Sequence, residues 1–166
     1  MYRRTFFFIL NFIPFPGPNK MKTKIFLLFL TVLGIFDAAY LSLEHFVGTI
    51  PLCPANSPLG NFIDCGKVLT SPYATILGIP VALIGLIYYF ILLYTILKMP
   101  KFLILLALLA LLASSYFMSI QLFILHSICL YCSFSAIINV TVFLLVVTQF
   151  IKNINSQKPA NKAAEN

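Results

Sequence analysis

The chain has 166 residues, of which 61% are hydrophobic and 9% are charged, whereas charged residues make up about a quarter of a soluble domain. This composition excludes a soluble enzyme or binding domain and indicates an integral membrane protein. The net charge is +7, and the basic residues that produce it lie in short clusters between apolar runs. Neither a basic stripe interleaved with aromatic residues nor a Gly-rich phosphate loop accompanies it, which argues against nucleic acid as a partner.

The first twenty residues are not expected to form a span. Phe6 to Phe15 is apolar but too short to cross a membrane, and it leads into the Pro- and Gly-rich segment Pro14 to Pro18. Two interpretations stay open: a signal-like segment, or an extension before a natural start at Met21. We prefer the second, because Met21-Lys-Thr-Lys is a credible natural start. The Arg3-Arg4 pair lacks the rest of a twin-arginine signal.

Four apolar stretches are long enough to cross about 30 Å of hydrocarbon as helices. We predict spans at Ile25 to Val47, Tyr73 to Leu97, Phe102 to Leu125 and Leu130 to Ile151. The second and third connections are short, so the spans they join should be antiparallel neighbours. The predicted fold class is all-α integral membrane: a four-transmembrane-helix bundle over residues 21–151, with a long loop between the first two helices. The polar residues 152–166 are expected to be disordered.

The basic residues orient this bundle. Four spans place both termini on one side, which carries ten of the eleven Lys and Arg residues, whereas the side of the long loop carries only Lys67. Because cytoplasmic loops are enriched in Lys and Arg, both termini are predicted to be cytoplasmic and the long loop exoplasmic. In a bacterium this loop would face the periplasm from the inner (plasma) membrane, in a compartment where disulfides persist.

Two acidic residues fall within the first span. Asp37 lies near mid-depth, and Glu44 follows seven residues later on nearly the same face. Asp37 is either a proton relay or a structural carboxyl that binds a neighbouring helix or pairs with Lys67, and both interpretations stay open. For Glu44 and His45, near the outer surface, simple solvation is favoured.

All four cysteines fall on the predicted exoplasmic side. Cys53 and Cys65 share the long loop, which can close on itself as a disulfide or carry one sulfur toward a second pair. Cys129 and Cys132 form a Cys-x-x-Cys motif at the start of the fourth span. There the sulfurs can form a disulfide that a third thiol opens, and the helix start favours a thiolate.

Besides redox chemistry, two other interpretations of these cysteines stay open: a zinc site shared by both pairs, and inert structural cysteines. We favour redox chemistry, because two thiol pairs meet at one membrane face. His126, three residues before Cys129, is either a proton relay or a polar cap.

The segment before the second span is expected to bound a pocket. Gly66 to Ser71 is predicted to be a half-helix that caps this pocket, Pro72 fits a first helical turn, and Pro80 would kink the span. Candidate aromatic wall residues are Tyr73, Phe117 and Phe123.

Three ordered motifs resemble the vitamin K epoxide reductase family, in its bacterial branch. They are Asp37-Ala-Ala-Tyr-Leu-Ser-Leu-Glu-His45, the segment Cys65-Gly-Lys-Val-Leu-Thr-Ser-Pro-Tyr-Ala-Thr-Ile-Leu-Gly-Ile-Pro-Val-Ala, and Cys129-Leu-Tyr-Cys132. The resemblance covers about residues 25–151 and implies a four-helix bundle around a quinone.

The resemblance also implies roles for individual residues. Cys129 and Cys132 match the active-site disulfide pair, with Cys132 nearest the quinone, and Ser71 matches a position near the quinone pocket. Cys53 and Cys65 match a shuttle disulfide, in which Cys65 attacks Cys129 to form a transient Cys65–Cys129 bond and Cys53 faces the partner protein.

Two features depart from the family pattern. The spacing between Cys53 and Cys65 is longer than is usual there, and no thioredoxin-like domain follows the bundle, as it does in many bacterial relatives. The second departure implies a separate periplasmic thioredoxin-like partner.

The expected function is a membrane thiol-disulfide oxidoreductase that reoxidises this partner and passes electrons to a quinone, either ubiquinone or menaquinone, without a metal. The alternative is a structural membrane protein with inert loop disulfides. Quinone reductases of the disulfide-bond protein B type carry their two cysteine pairs in the opposite order.

Overall fold

The computed structural model describes residues 18–49, 63–99 and 102–163, which form five α-helices and one short hairpin. The α-helices are α1 (Pro18–Val47), α2 (Cys65–Leu69), α3 (Val81–Lys98), α4 (Leu103–Ser119) and α5 (Leu130–Ala163). A π-helical segment, Ile120–Leu125, extends α4. Among the described residues, α1, α3, α4 with its π extension, and α5 are long and apolar enough to cross a membrane. The predicted four-span helical fold is confirmed.

The spans form one bundle with an apolar exterior. α1 packs against α3 and α5, while α4 packs against α5 and also contacts α3. The core between them includes Leu27, Tyr89, Leu92, Ala107 and Val142. In each span, no more than 39% of the most apolar 18-residue stretch is buried within the bundle. Large hydrophobic side chains cover the outer faces. Such an exterior suits lipid rather than water.

The second span begins later than predicted. Residues 72–80 form a 3₁₀ turn (Pro72–Ala74) and a two-stranded antiparallel hairpin, in which β1 (Thr75–Ile76) pairs with β2 (Ile79–Pro80). Both turn residues, Leu77 and Gly78, have positive φ angles, as a two-residue hairpin turn of type I′ requires. Pro80 lies just before α3 rather than inside it. The predicted kink is therefore wrong: a residue without an N–H group suits a helix start.

The ends of the bundle are more helical than predicted. α1 starts at Pro18, where proline's fixed φ and missing N–H suit the first turn, rather than at Ile25. α5 continues to Ala163, whereas the sequence predicted a disordered tail from Lys152. Once a helix is nucleated, extending it carries no new nucleation cost, which favours both extensions.

Candidate functional site

A cavity of about 360 Å³ opens between the spans, and α2 and the hairpin segment form part of its wall. This volume lies within the range of small-molecule sites. Val68 and Leu69 of α2 line it, which confirms the expectation that a half-helix near residues 66–71 bounds a pocket. Ser71, Tyr73 and Phe117 also line the cavity, as predicted.

The two cysteines of the Cys-x-x-Cys motif occupy different surroundings. Cys132 lines the cavity, whereas Cys129 is completely buried outside its lining. Both are free thiols. The Cys129 carbonyl accepts the first backbone bond of α5, from Ser133 N at 3.0 Å, so Cys129 stands at the helix N-cap and Cys132 in the first turn. One sulfur thus faces a ligand space and the other faces protein.

Cys129 lies between the third and fourth spans and is tuned by its neighbours. A hydrogen bond from the Cys132 thiol lowers the pKa of Cys129 below its ordinary value, although burial and the charge of Asp37 act in the opposite direction. The stabilised form is the thiolate, which is the nucleophile in disulfide exchange.

Gln121 is a site residue that sequence analysis missed. Its Oε1 accepts the backbone N–H of Cys129 at 2.8 Å, and its own backbone carbonyl accepts Ser127 N at 3.1 Å. Its side chain is buried and lines the cavity. The available signal was a lone amide within an apolar run, since a polar group inside a span requires a partner.

Cys65 lies against the Cys-x-x-Cys motif. It is disulfide-bonded and completely buried, and it packs with Val68 and Cys129 in one cluster that Cys132 also contacts. A parallel β-bridge between Ile63 and Ile128 joins the segments that precede these cysteines. Cys53, the partner that the family resemblance implies for Cys65, lies outside the described residues.

The start of α2 is fixed by polar contacts. Asp64 caps the helix by accepting Lys67 N at 2.9 Å, and the Lys67 ammonium donates to the Leu125 carbonyl at 2.7 Å. This second bond ties α2 to the end of the π segment. Lys67 therefore serves this junction, and the alternative in which it pairs with Asp37 is wrong for the described structure.

A hydrogen-bonded network crosses the cavity floor between α3, α4 and α5. The Tyr89 hydroxyl lies 2.7 Å from Ser135 Oγ and donates to Asn139 Oδ1 at 3.3 Å, and Asn139 Nδ2 donates to Ser114 Oγ at 2.8 Å. Sequence analysis did not identify these residues. Their mutual bonds satisfy polar groups that would be costly to bury alone.

Two predicted site residues lie away from the cavity. Phe123 is 77% exposed and is absent from the lining, so its predicted place in the wall is wrong. Phe117, Gln121 and Leu125 follow one another at helical spacing and face the cavity, which leaves Phe123 on the opposite side. His126 is also exposed, in a left-handed conformation (φ 48°), with Nδ1 3.3 Å from the Ile124 carbonyl.

The acidic residues of α1 differ in their surroundings. Asp37 is buried and lines the cavity. Glu44 is bonded to the Thr49 hydroxyl near the end of α1, and the neighbouring His45 contributes to the cavity wall. Of the carboxyl groups within α1, only that of Asp37 reaches the site.

Comparison with protein families gives one decisive match. The model of the vitamin K epoxide reductase family matches residues 25–147, which include α2, the second and third spans, most of the first and fourth spans, and all four cysteines. The chain belongs to the vitamin K epoxide reductase family. Comparison with curated proteins returned no match.

Membership of the vitamin K epoxide reductase family makes the chain a multi-pass membrane disulfide oxidoreductase. The family is linked to quinones in general. Among the described residues no group of His, Cys, Asp or Glu is arranged to hold a metal ion.

The cavity has the chemistry to receive a quinone headgroup. Within the described residues, two buried side-chain polar atoms have no hydrogen-bond partner, Asp37 Oδ2 and the Tyr88 hydroxyl. Both residues line the same cavity as Cys132, within otherwise largely apolar walls. Buried polar groups are nearly always paired, so two unpartnered atoms on residues that line one cavity favour a polar ligand there. A quinone, with two oxygens on a flat apolar ring, fits this arrangement.

Proposed function

We propose that this vitamin K epoxide reductase family member is a quinone-dependent thiol oxidoreductase of the bacterial inner membrane. It would reoxidise a separate periplasmic thioredoxin-like protein, and thereby support disulfide bond formation, with ubiquinone or menaquinone as acceptor. Both termini would be cytoplasmic and the cysteines periplasmic. One observation carries the proposal: Cys132 faces the cavity while Cys129, one turn away, packs against Cys65.

Exchange begins in the loop. A reduced thioredoxin-like protein attacks the Cys53–Cys65 disulfide and leaves as its own disulfide, so that both loop cysteines become thiols. The Cys65 thiolate then attacks Cys129 Sγ of the Cys129–Cys132 disulfide and displaces the Cys132 thiolate. Attack of Cys53 on Cys65 restores the loop disulfide and releases Cys129. Two electrons have then moved from the partner to the Cys-x-x-Cys motif.

The burial of Cys65 and Cys129 suits this relay. Both sulfurs belong to one packed cluster, so attack of one on the other requires little movement. The free thiols at Cys129 and Cys132, together with a disulfide-bonded Cys65, correspond to the form that follows this exchange. A quinone bound in the cavity supplies the acceptor for the two electrons and two protons that leave Cys129 and Cys132 as they close to a disulfide.

Asp37 is the proposed proton relay of the site. Its Oδ2 is buried without a partner in the described structure, and its charge reaches the Cys129 sulfur. A carboxyl group so placed can accept a proton as a thiol ionises and return it to the cavity. His126, which is exposed and outside the cavity wall, is not used in this scheme.

The test is turnover by purified protein in lipid nanodiscs, with a reduced thioredoxin-like donor and a short-chain ubiquinone or menaquinone followed by absorbance. We expect quinone reduction that is lost when Cys53, Cys65, Cys129 or Cys132 is replaced by Ala. Equal turnover after replacement of Cys129 and Cys132 would overturn the proposal. It would favour the alternative of a structural protein with inert loop disulfides.

Orientation is tested separately in cells. The first variant keeps Cys53 as its single cysteine. A membrane-impermeant maleimide, added to intact spheroplasts after reduction, should label it. The matched control is a single cysteine introduced at Ser156, near the C-terminus, on the opposite side of the membrane in the proposed topology. It should be labelled only after lysis. Labelling of the second site alone in intact cells would reverse the proposed topology.

A further inference from the structure

We infer that the Tyr88 hydroxyl is a binding group for the substrate quinone, and that it holds one of the two quinone oxygens in the cavity. This inference rests on the proposed function and adds a recognition residue to it. Tyr88 lies on α3 and lines the cavity, and its buried hydroxyl has no hydrogen-bond partner among the described residues.

Several other polar side chains around the cavity are engaged in hydrogen bonds. The Ser71 hydroxyl donates to the Val68 carbonyl at 2.7 Å, and Gln121 Oε1 is held by the Cys129 N–H. Tyr89 and Asn139 bond within the floor network. Tyr88 and Asp37 are the lining residues whose buried side-chain oxygens have no partner within the described residues, and the Tyr88 hydroxyl can donate to a ligand.

The ring of Tyr88 is held in place by its neighbour. Its centroid lies 5.2 Å from that of Tyr89 in an edge-to-face arrangement at 60°. Tyr89 is itself fixed by Ser135 and Asn139. A donor that is already oriented loses little conformational entropy when a ligand binds.

A hydroxyl matches both redox forms of a quinone. It donates to the carbonyl oxygen of the oxidised ring and accepts from the hydroxyl of the quinol, without a change in its own protonation. An unpaired buried hydroxyl also lowers the stability of the ligand-free protein. A purely structural tyrosine would not show this combination of a stability cost and a ligand benefit.

The experiment compares Tyr88→Phe with wild type and with Tyr94→Phe, which removes a hydroxyl from an exposed position on the same helix. All three proteins, including the one that is otherwise wild type, carry Cys132→Ala, which prevents turnover. In this comparison "wild type" means the protein with Cys132→Ala alone. The probe is a short-chain ubiquinone labelled with ¹³C at its carbonyl groups. The readouts are its dissociation constant, its carbonyl stretching band, and the unfolding temperature with and without it.

For Tyr88→Phe we expect binding weakened by about 3- to 10-fold, the loss of one hydrogen bond, and a carbonyl band at higher frequency. The ligand-free protein should unfold at the same or a higher temperature. Tyr94→Phe should match wild type in every readout. A Tyr88→Phe protein with the wild-type dissociation constant and carbonyl band would overturn the inference alone. Failure of the wild-type site to bind the quinone would overturn the proposed function as well.

Discussion

Cys65 and Cys129 are both completely buried and pack in a single cluster, although they lie far apart in the sequence. The bridge between Ile63 and Ile128 holds their segments together. Burial excludes other thiols from these sulfurs while keeping them available to one another. The contact thereby links the loop chemistry to the Cys-x-x-Cys motif.

A trapped disulfide should report this contact. In Cys132→Ala, the Cys129 thiol has lost its own partner and can attack the loop disulfide, so a Cys65–Cys129 bond should accumulate. Peptide mapping by mass spectrometry under non-reducing conditions detects it. Adding Cys65→Ala is the control and should abolish the crosslink. Absence of the crosslink in Cys132→Ala would show that these sulfurs do not exchange.

The ionisation of Cys129 should depend on its neighbour. Because the hydrogen bond from Cys132 lowers the pKa of Cys129, the thiolate forms at a lower pH than for an ordinary cysteine, and it is lost as the pH falls through that lowered value. Removing the donor with Cys132→Ala should shift thiolate formation to higher pH. Absorbance at about 240 nm follows this titration in protein whose loop cysteines are replaced.

A serine at position 132 provides the matched comparison for this titration. Cys132→Ser retains a hydroxyl donor and should keep the thiolate at lower pH than Cys132→Ala does. Identical titration curves for the two variants would contradict the assigned hydrogen bond.

Gln121 should stabilise the turn that carries Cys129. Gln121→Leu leaves the buried Cys129 N–H without its acceptor, which we expect to lower the free energy of unfolding by about 1–3 kcal/mol. Gln121→Glu, which keeps an oxygen acceptor, should be less destabilised. Unfolding in mixed detergent micelles, followed by circular dichroism, measures both. A Gln121→Leu protein as stable as wild type would rule out this role.

Gly34 on α1 should not tolerate a side chain. A Cβ there would lie 2.8 Å from Tyr89 Cδ1 and closer still to Cε1 and Cζ of the same ring, which Ser135 and Asn139 hold in place. We expect Gly34→Ala to lower the free energy of unfolding by about 1–3 kcal/mol through overpacking. Gly85→Ala, where a Cβ meets nothing within 4 Å, is the control in the same unfolding measurement. Equal stability of the two variants would contradict close packing at Gly34.

Several features could be predicted from local sequence properties. The length of each apolar run fixed the number of spans, and the spacing of Cys129 and Cys132 placed both sulfurs within one helical turn. The start of α3 was misplaced, because residues 73–80 are apolar enough for a span yet fold as a turn and hairpin. Hydropathy does not distinguish these two outcomes; in the structure Leu77 and Gly78 have the positive φ angles of a tight hairpin turn, which a helix could not contain.

The composition and the lengths of the apolar runs made this a membrane protein of four helices, because insertion in lipid depends mainly on the apolar length of each segment. Packing between helices decided which side chains meet. The spans carry few polar residues among many apolar ones, so their sequences say little about the rotation of each helix about its axis. Only the folded bundle brings Cys65 to Cys129, turns Phe123 outward, and leaves Asp37 and Tyr88 unpaired in one cavity.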